Sequence, residues 1–160
     1  MVYYMYFDGG SRGNPGIAGS GAVVYDNEMK EIASTVYECG VDKTNNHAEY
    51  MGIIKGIELL CTMYIKLTDV VIRGDSMLVV KQCKGEWKVR EPGLQKIVAS
   101  LSDFLKTKEG VFHIKISDYF KDIQHVPRNK NGRADELSNI AMDHLTKKTY
   151  EQTAFIIIDD

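Results

Sequence analysis

The chain lacks most features that mark secreted, membrane-spanning or polyanion-binding proteins. Its three cysteines, Cys39, Cys61 and Cys83, form no CxxC pair and are odd in number, which argues against a disulfide framework and favours reduced thiols inside the cell. No apolar run approaches the ~20 residues needed to cross a bilayer. The opening MVYYMYF has no basic leader, so we expect neither a signal peptide nor a membrane span, and we expect a cytoplasmic protein.

An excess of positive charge is also missing. The net charge is -2, so any contact with nucleic acid must come from a local basic patch. The sequence has no repeats, no low-complexity segment and no obvious linker. Its 160 residues, 44% of them hydrophobic, suffice for one domain with a core. We expect a domain over residues 1–147, a tail of unassigned role over 148–160, and a monomer.

The hydrophobic pattern predicts an α/β fold with a mixed sheet and helices on its faces. Short apolar and β-branched runs predict four strands, at 2–7, 17–25, 31–39 and 69–75. The first three are close in sequence and should form an antiparallel meander. Apolar residues at three- and four-residue spacing predict four helices, at 45–63, 76–83, 93–106 and 133–147.

Two segments allow more than one interpretation. VFHIKIS (111–117) alternates as a strand does, and DIQHVP (122–127) also has strand character, so they form one long strand or two pieces separated by a bend near Asp118–Tyr119. AFIIIDD (154–160) could add an edge strand, pack on the body of the domain or contact a second molecule.

Four acidic residues stand out by their local contexts, each at a predicted strand end or helix start: Asp8, Glu49, Asp75 and Asp135. Four carboxylates brought together from separate segments would repel each other unless a cation lay between them. Such a cluster suits two Mg²⁺ ions, which prefer oxygen ligands, and it indicates metal-assisted phosphodiester hydrolysis. The alternative is that these are ordinary surface positions among the 22 acidic residues.

The segment GGSRGNPG follows the first predicted strand and has two interpretations besides a role in that site. It can be a simple turn, because glycine, asparagine and proline are turn formers. It can also be a glycine-rich phosphate loop, but it lacks the GK[ST] ending, and the next predicted element is a strand rather than a helix.

Five segments together resemble type 1 ribonuclease H over residues 2–146: FDGGSRGNPG, TNNHAEYMGIIKGIELL, IRGDSMLVVKQ, KGEWKVREPGLQ and HVPRNKNGRADELSN. The chain is most similar to the compact branch that lacks a basic helical protrusion. The resemblance implies a ribonuclease H-like fold, with a five-stranded sheet of three antiparallel strands followed by parallel additions. It also implies endonucleolytic cleavage of the RNA strand of RNA/DNA hybrids with Mg²⁺ or Mn²⁺, leaving 3′-hydroxyl and 5′-phosphate ends.

The resemblance also implies roles for the four acids as metal ligands and catalytic residues. Asp8 would bridge two metal ions. Glu49 and Asp75 would hold the ion nearer the leaving 3′-oxygen, and Asp135 would help to hold the ion that activates water. HVPR offers two further catalytic candidates, Arg128, which we favour, and His125.

Substrate-binding residues follow from the same resemblance. Small groups and main-chain amides near the cut would read the 2′-hydroxyls of the RNA strand, and other side chains would seat phosphates or the DNA strand. The expected set is Gly9, Gly10, Ser11, Asn14, Thr44, Asn45, Asn46, Ser76 and Asn131, with a reduced basic and aromatic patch of Trp87, Lys88 and Arg90 that could equally be a solvated loop.

Three alternatives to a hybrid-specific enzyme remain. The chain could be a catalytically weak module that binds RNA or hybrids, a related nuclease of the same fold that also cuts double-stranded RNA, or the ribonuclease domain of a retroelement polymerase. All four acids are present, which argues against the binding module. The TNNHAEY and GRADELSN segments favour ribonuclease H over other nucleases of this fold.

Overall fold

The computed structural model describes the backbone of residues 1–159 and the side chains of residues 1–152, and it contains one five-stranded sheet in the order β3-β2-β1-β4-β5. The strands are β1 Tyr3–Arg12, β2 Gly16–Tyr25, β3 Glu31–Lys43, β4 Val70–Gly74 and β5 Asp122–His125. The helices are α1 Asn45–Thr62, α2 Met77–Cys83, α3 Pro92–Glu109 and α4 Gly132–Asp159. Strands β1, β2 and β3 pair antiparallel, whereas β4 pairs parallel with β1 and β5 pairs parallel with β4. The predicted mixed sheet is therefore confirmed.

Strand β1 is longer than predicted and includes the first half of GGSRGNPG. It stays paired with β2 as far as Arg12 and Ile17, whereas its pairing with β4 stops at Phe7 and Gly74. Asp8 therefore lies within a strand, immediately beyond the end of the parallel ladder, and not at a strand end as predicted. At that point β1 loses one neighbour, which opens space for side chains from other elements.

Helices cover both faces of the sheet. One face packs against α1, α2 and α3 in a large core that includes Met5, Phe7, Ile53, Ile57 and Leu101, all fully buried. On the other face α4 crosses β1, β2 and β3. A Cβ at Gly21 would lie 2.4 Å from Cβ of Leu137, so glycine at this position lets α4 lie close against β2. This close approach fixes the first turns of α4 relative to β1.

The prediction of a strand at 111–117 is wrong. Residues 111–115 form a loop, and Ile116–Tyr119 is a short 3₁₀ helix. Phe112 and Ile114 are 66% and 90% exposed, so their alternation reflects no buried face. The Tyr119 hydroxyl accepts from the amide of His113 and donates to the carbonyl of Val111, which holds the loop.

Helix α4 continues to Asp159, well past the predicted end at residue 147. A strand at 154–158 is therefore excluded, while the side chains of AFIIIDD lie outside the described residues. The division into a 1–147 domain and a 148–160 tail stays a prediction. Among the residues that were described, no helix is long and apolar enough to cross a membrane.

Candidate active site

Three carboxylates from three different elements meet at the end of the β1–β4 ladder. Asp8 comes from β1, Glu49 from α1, and Asp75 directly follows β4; one oxygen of each lies within 4.8 Å of the others. Gly9 makes this approach possible, because a Cβ there would lie 2.2 Å from the carbonyl carbon of Ala48. The missing side chain lets α1 lie against β1 and brings Glu49 beside Asp8.

Burial and like charge raise the pKa values of this cluster. Asp8 and Glu49 are 6% and 7% exposed. Burial, followed by the charge of Asp75, raises the pKa of Asp8 to about 7, although the Gly9 amide donates to its Oδ1 at 2.8 Å. Burial and the charges of Asp8 and Asp75 also hold the pKa of Glu49 well above its usual range. Among the described residues Oε2 of Glu49 is buried without a hydrogen-bond partner, so no donor offsets the desolvation of that oxygen.

The buried side chain of Asn131 connects this cluster to the end of the β1–β4 ladder. It is 1% exposed, and its Nδ2 donates to the Phe7 carbonyl at 2.9 Å and to Oδ2 of Asp75 at 3.0 Å. One amide therefore ties the last residue of the β1–β4 ladder to a cluster carboxylate. The side-chain Nδ2 of Asn131 is thus occupied by two protein acceptors, and Asn131 does not line the cleft. Its predicted contact with a phosphate stays a prediction.

Asp135 lies on the rim rather than within the cluster. It is in the first turn of α4, is exposed, and its amide donates to the Asn131 carbonyl at 3.0 Å. Its charge contributes, after burial and Asp75, to the raised pKa of Asp8. The four predicted acids thus form a group of three with a fourth facing the same opening.

The carboxylates line an open cleft of about 410 Å³. Ten predicted site residues line this cleft: Asp8, Gly9, Gly10, Ser11, Asn45, Glu49, Asp75, Ser76, Arg128 and Asp135. The turn that follows β1 is fastened to the start of α1, because the Ser11 amide donates to Oδ1 of Asn45 at 2.7 Å and the Asn45 amide donates to Oδ1 of Asn14 at 2.9 Å. These two hydrogen bonds fix this wall of the cleft, so GGSRGNPG is not a free glycine loop.

Several predicted substrate-binding residues lie outside this cleft. Thr44 caps α1 by accepting from the His47 amide at 3.1 Å, and it borders a separate small depression. Neither Asn14, which supports Asn45, nor Asn46 lines the cleft. Trp87, Lys88 and Arg90 share another surface depression of about 460 Å³ with Leu78 and Glu86, and Trp87 is 46% exposed.

The two candidates in HVPR occupy different positions. Arg128 lines the cleft, and its charge slightly opposes the rise in the pKa of Glu49. His125 ends β5 outside the cleft lining, with Nε2 3.2 Å from the Asp75 carbonyl oxygen. The choice between them stays a prediction.

Four residues that line the cleft were not predicted from the sequence: Arg12, Ser138, Asn139 and Met142. Three of them belong to α4, and positions 138, 139 and 142 follow Asp135 at helical spacing on one face. Given Asp135 and the predicted helix, this spacing could have predicted the three positions from the sequence. Arg12 lies within the motif GGSRGNPG but was not assigned a role.

Known proteins share this architecture. A family model described as reverse transcriptase-like matches residues 6–141. The chain is 37% identical to the bifunctional protein Rv2228c of Mycobacterium tuberculosis, over 85% of this chain and 34% of that protein. It is 36% identical to ribonuclease HI of Halobacterium salinarum, over 88% of this chain and 64% of that protein. The chain thus spans about a third and under two thirds, respectively, of the lengths of these two relatives.

A solved structure adds a match over nearly the full length of the compared chain. The crystal structure of LC11-RNase H1 in complex with an RNA/DNA hybrid has a TM-score of 0.77 and 36% sequence identity, covering 90% of this chain and 99% of that one. The chain belongs to the ribonuclease H family.

Proposed function

We propose that this protein is an endoribonuclease that hydrolyses the RNA strand of RNA/DNA hybrids with divalent metal ions. The carboxylate cluster of Asp8, Glu49 and Asp75 carries this proposal, because its oxygens lie within 4.8 Å of one another beside an open cleft. Membership of the ribonuclease H family and the hybrid bound to LC11-RNase H1 support the same substrate class. We also propose that the protein acts as a cytoplasmic monomer.

The residues of the cluster fit a divalent cation. Their donors are all carboxylate oxygens, which suit Mg²⁺ and also Mn²⁺, and the buried Oε2 of Glu49 lacks a partner that a cation would supply. Asp8, Glu49 and Asp75 would hold one ion, and Asp8 with Asp135 would hold a second. When bound, such ions neutralise the carboxylates, stabilise negative charge at the phosphate and promote attack by water, which would leave 3′-hydroxyl and 5′-phosphate ends.

Arg128 is the proposed phosphate-positioning residue of the cleft. Its guanidinium is permanently charged, so it can orient and stabilise a phosphate but cannot transfer a proton near neutral pH. Although histidine is the better proton shuttle, His125 lies outside the cleft lining, and one of its ring nitrogens lies beside the Asp75 carbonyl. We therefore propose Arg128, rather than His125, as the residue that assists catalysis.

Recognition of RNA would depend on the polar wall of the cleft. Ser11, Asn45 and Ser76 place short polar groups beside the carboxylates, where they can exchange hydrogen bonds with 2′-hydroxyls. We propose that Thr44, Asn46 and the patch of Trp87, Lys88 and Arg90 contact the DNA strand. Because both strands of double-stranded RNA also display 2′-hydroxyls, this duplex is the second substrate to test.

The test is cleavage of end-labelled RNA/DNA, RNA/RNA, DNA/DNA and single-stranded RNA by the pure protein with Mg²⁺, Mn²⁺ or EDTA. We expect metal-dependent cutting of the RNA in the hybrid and its loss in Asp75→Asn, the matched control. Cutting of RNA/RNA as well would widen the substrate class. Tight binding of hybrid without cutting under any metal would overturn the enzymatic proposal in favour of a binding module.

A further inference from the structure

Arg12 is a cationic residue in the cleft to which no role has yet been assigned. It is the last residue of β1. Among the described residues that line the cleft, Arg12 and Arg128 are the cations, and they face four carboxylates. A nucleic-acid strand entering this acidic cleft brings further negative charge, so the position of each cation matters for substrate binding.

The Arg12 guanidinium is held in place by helix α4. Its Nη2 lies 2.6 Å from Oδ1 of Asp143 and donates to Oδ1 of Asn139 at 3.3 Å, while Nη1 donates to Oγ1 of Thr146 at 3.5 Å. A guanidinium carries five N–H donors. These three contacts leave the Nε–H and one Nη1–H available for another acceptor.

A contribution to folding stability does not explain well why Arg12 makes these contacts with α4. The side chains of Arg12 and Asp143 are 41% and 69% exposed, and ion pairs in such surroundings contribute little to folding. What the contacts do is fix the direction of a long, flexible side chain. A fixed guanidinium loses less freedom when it binds a phosphate, which favours binding.

The position of Arg12 along α4 indicates which group it would meet. Asp135, Asn139 and Asp143 are spaced four residues apart and therefore lie along one face of the helix. From Asp135 to Asp143 the helix rises ~12 Å. Arg12 contacts α4 one to three turns beyond Asp135 and thus continues the wall of the cleft away from the cluster. A strand with one phosphate at the carboxylates would bring another of its backbone phosphates, a few nucleotides along, beside Arg12.

We propose that Arg12 binds a backbone phosphate of the RNA strand, a few nucleotides from the phosphate that is cut, with Asp143, Asn139 and Thr146 as positioning residues. This inference rests on the proposed function. A phosphate would take the free N–H donors of Arg12 as charge-assisted hydrogen bonds.

The first test compares Arg12→Gln with wild type in steady-state cleavage of an RNA/DNA hybrid across a range of salt concentrations. We expect KM to rise about tenfold, kcat to change less than about twofold, and the slope of log affinity against log salt to flatten by about one. Arg133→Gln is the matched control, because Arg133 on α4 also pairs with carboxylates, Glu31 and Glu136, but lies outside the cleft lining. An unchanged KM and salt slope in Arg12→Gln would overturn the proposal.

Asp143→Asn separates phosphate binding from a structural clamp between β1 and α4. Loss of the Asp143 carboxylate removes one contact that positions Arg12 but leaves its charge, so KM should rise by a smaller factor than in Arg12→Gln and the salt slope should stay unchanged. A structural clamp would instead make Asp143→Asn and Arg12→Gln equally damaging to kcat and to the melting temperature. That result would contradict phosphate binding.

Hybrids with single uncharged methylphosphonates identify the strand and position. The KM difference between Arg12→Gln and wild type should vanish on a hybrid in which one specific phosphate of the RNA strand, a few nucleotides from the cleavage site, is neutral. Loss of the defect at a DNA-strand phosphate would overturn the assignment to RNA. If wild type fails to cleave, the proposed function fails, and fluorescence anisotropy of a labelled hybrid then reports separately whether Arg12→Gln weakens binding.

Discussion

Single side chains from distant parts of the chain fix the carboxylate cluster and the wall of the cleft beside it. Asp8, Glu49 and Asp75 stand in motifs whose order along the chain predicted a common site, and the structure brings them together. Asn131 was predicted as a phosphate contact and not as a support of the cluster, and Arg12 was assigned no role, because the partners of both residues lie far away in sequence. Asn131 bonds to Phe7 and Asp75, and Arg12 bonds to α4, contacts that only the assembled fold defines.

Replacing Asn131 with alanine tests its supporting role. The change leaves the Phe7 carbonyl and Asp75 without their buried donor, so we expect a loss of ~1–3 kcal/mol in the free energy of unfolding. We also expect a ~10- to 100-fold loss in Mg²⁺ affinity or activity. Urea unfolding and a Mg²⁺ titration measure both, with Asn27→Ala, an exposed position in the turn after β2, as the control. Wild-type Mg²⁺ affinity in Asn131→Ala would argue against this role.

The raised pKa of Asp8 predicts how stability changes with pH in the metal-free protein. Since that pKa is about 7 in the folded chain against an ordinary 3.8, Asp8 favours folding fully below pH ~4, and this contribution is lost as pH rises through about 7. The raised pKa of Glu49 acts in the same direction. In EDTA at pH 8, Asp8→Asn should therefore be more stable than wild type by ~2–4 kcal/mol, with a smaller difference at pH 5.

Magnesium should reverse that order, because it stabilises the folded state that binds it. Denaturant unfolding of both proteins at pH 5 and pH 8, with and without Mg²⁺, makes the comparison. A wild-type protein that is no less stable than Asp8→Asn at pH 8 in EDTA would contradict an uncompensated carboxylate cluster.

At the element scale, periodicity predicted regular elements well and irregular ones poorly. The apolar spacing of α1 identified the helix and nearly its exact bounds, since one face of it is buried. The alternation of 111–117 misled, because Phe112 and Ile114 are exposed and the buried Ile116 belongs to a 3₁₀ helix. In addition, β4 offers β5 pairing partners only from Val71 to Gly74. Close approaches between elements depend on glycines, and the sequence alone does not show which glycine faces a neighbouring backbone.

Gly9→Ala tests whether the approach of α1 to β1 builds the site. The added Cβ would collide with the Ala48 and Glu49 backbone, at 2.2 and 2.4 Å, so the helix must move. We expect a loss of ~1–3 kcal/mol in stability and a large loss of activity, because Glu49 leaves its position beside Asp8. Gly132→Ala is the control, since a Cβ there meets nothing within 4 Å. Equal stability and activity in the two variants would refute this role of Gly9.

At the scale of the whole molecule, the cleft and the buried core residues precede the predicted tail, as far as side chains are described (residues 1–152). The last residue of the cleft lining is Met142, and beyond residue 147 an ion pair of Lys148 with Glu38 joins α4 to β3. The sequence predicted the mixed sheet and its order of elements, because each strand and helix has its own periodicity. The length of α4 was missed, since the polar segment TKKTYEQT (146–153) interrupts the apolar stripe and the apolar run that follows it also has strand character.

A chain truncated after Lys147 should therefore fold and remain active. We expect its free energy of unfolding to lie less than ~1 kcal/mol below that of a chain truncated after Gln152, because residues 148 and 150–152 are exposed and a surface ion pair such as Lys148–Glu38 contributes little. Urea unfolding and hybrid cleavage measure the two properties, with truncation after Gln152 as the matched control. Failure of the shorter chain to fold, with a stable longer one, would place residues 148–152 within the domain.

The most direct measurement is the rate of hybrid cleavage as a function of Mg²⁺ concentration for wild type and Glu49→Gln. This substitution keeps the shape of the side chain but removes one charge of the carboxylate cluster. We predict that wild-type activity is absent in EDTA and rises to saturation with Mg²⁺, and that the variant is slower by at least ~100-fold. Cleavage by wild type in EDTA, or a variant as fast as wild type at every Mg²⁺ concentration, would contradict a metal-dependent centre at Asp8, Glu49 and Asp75.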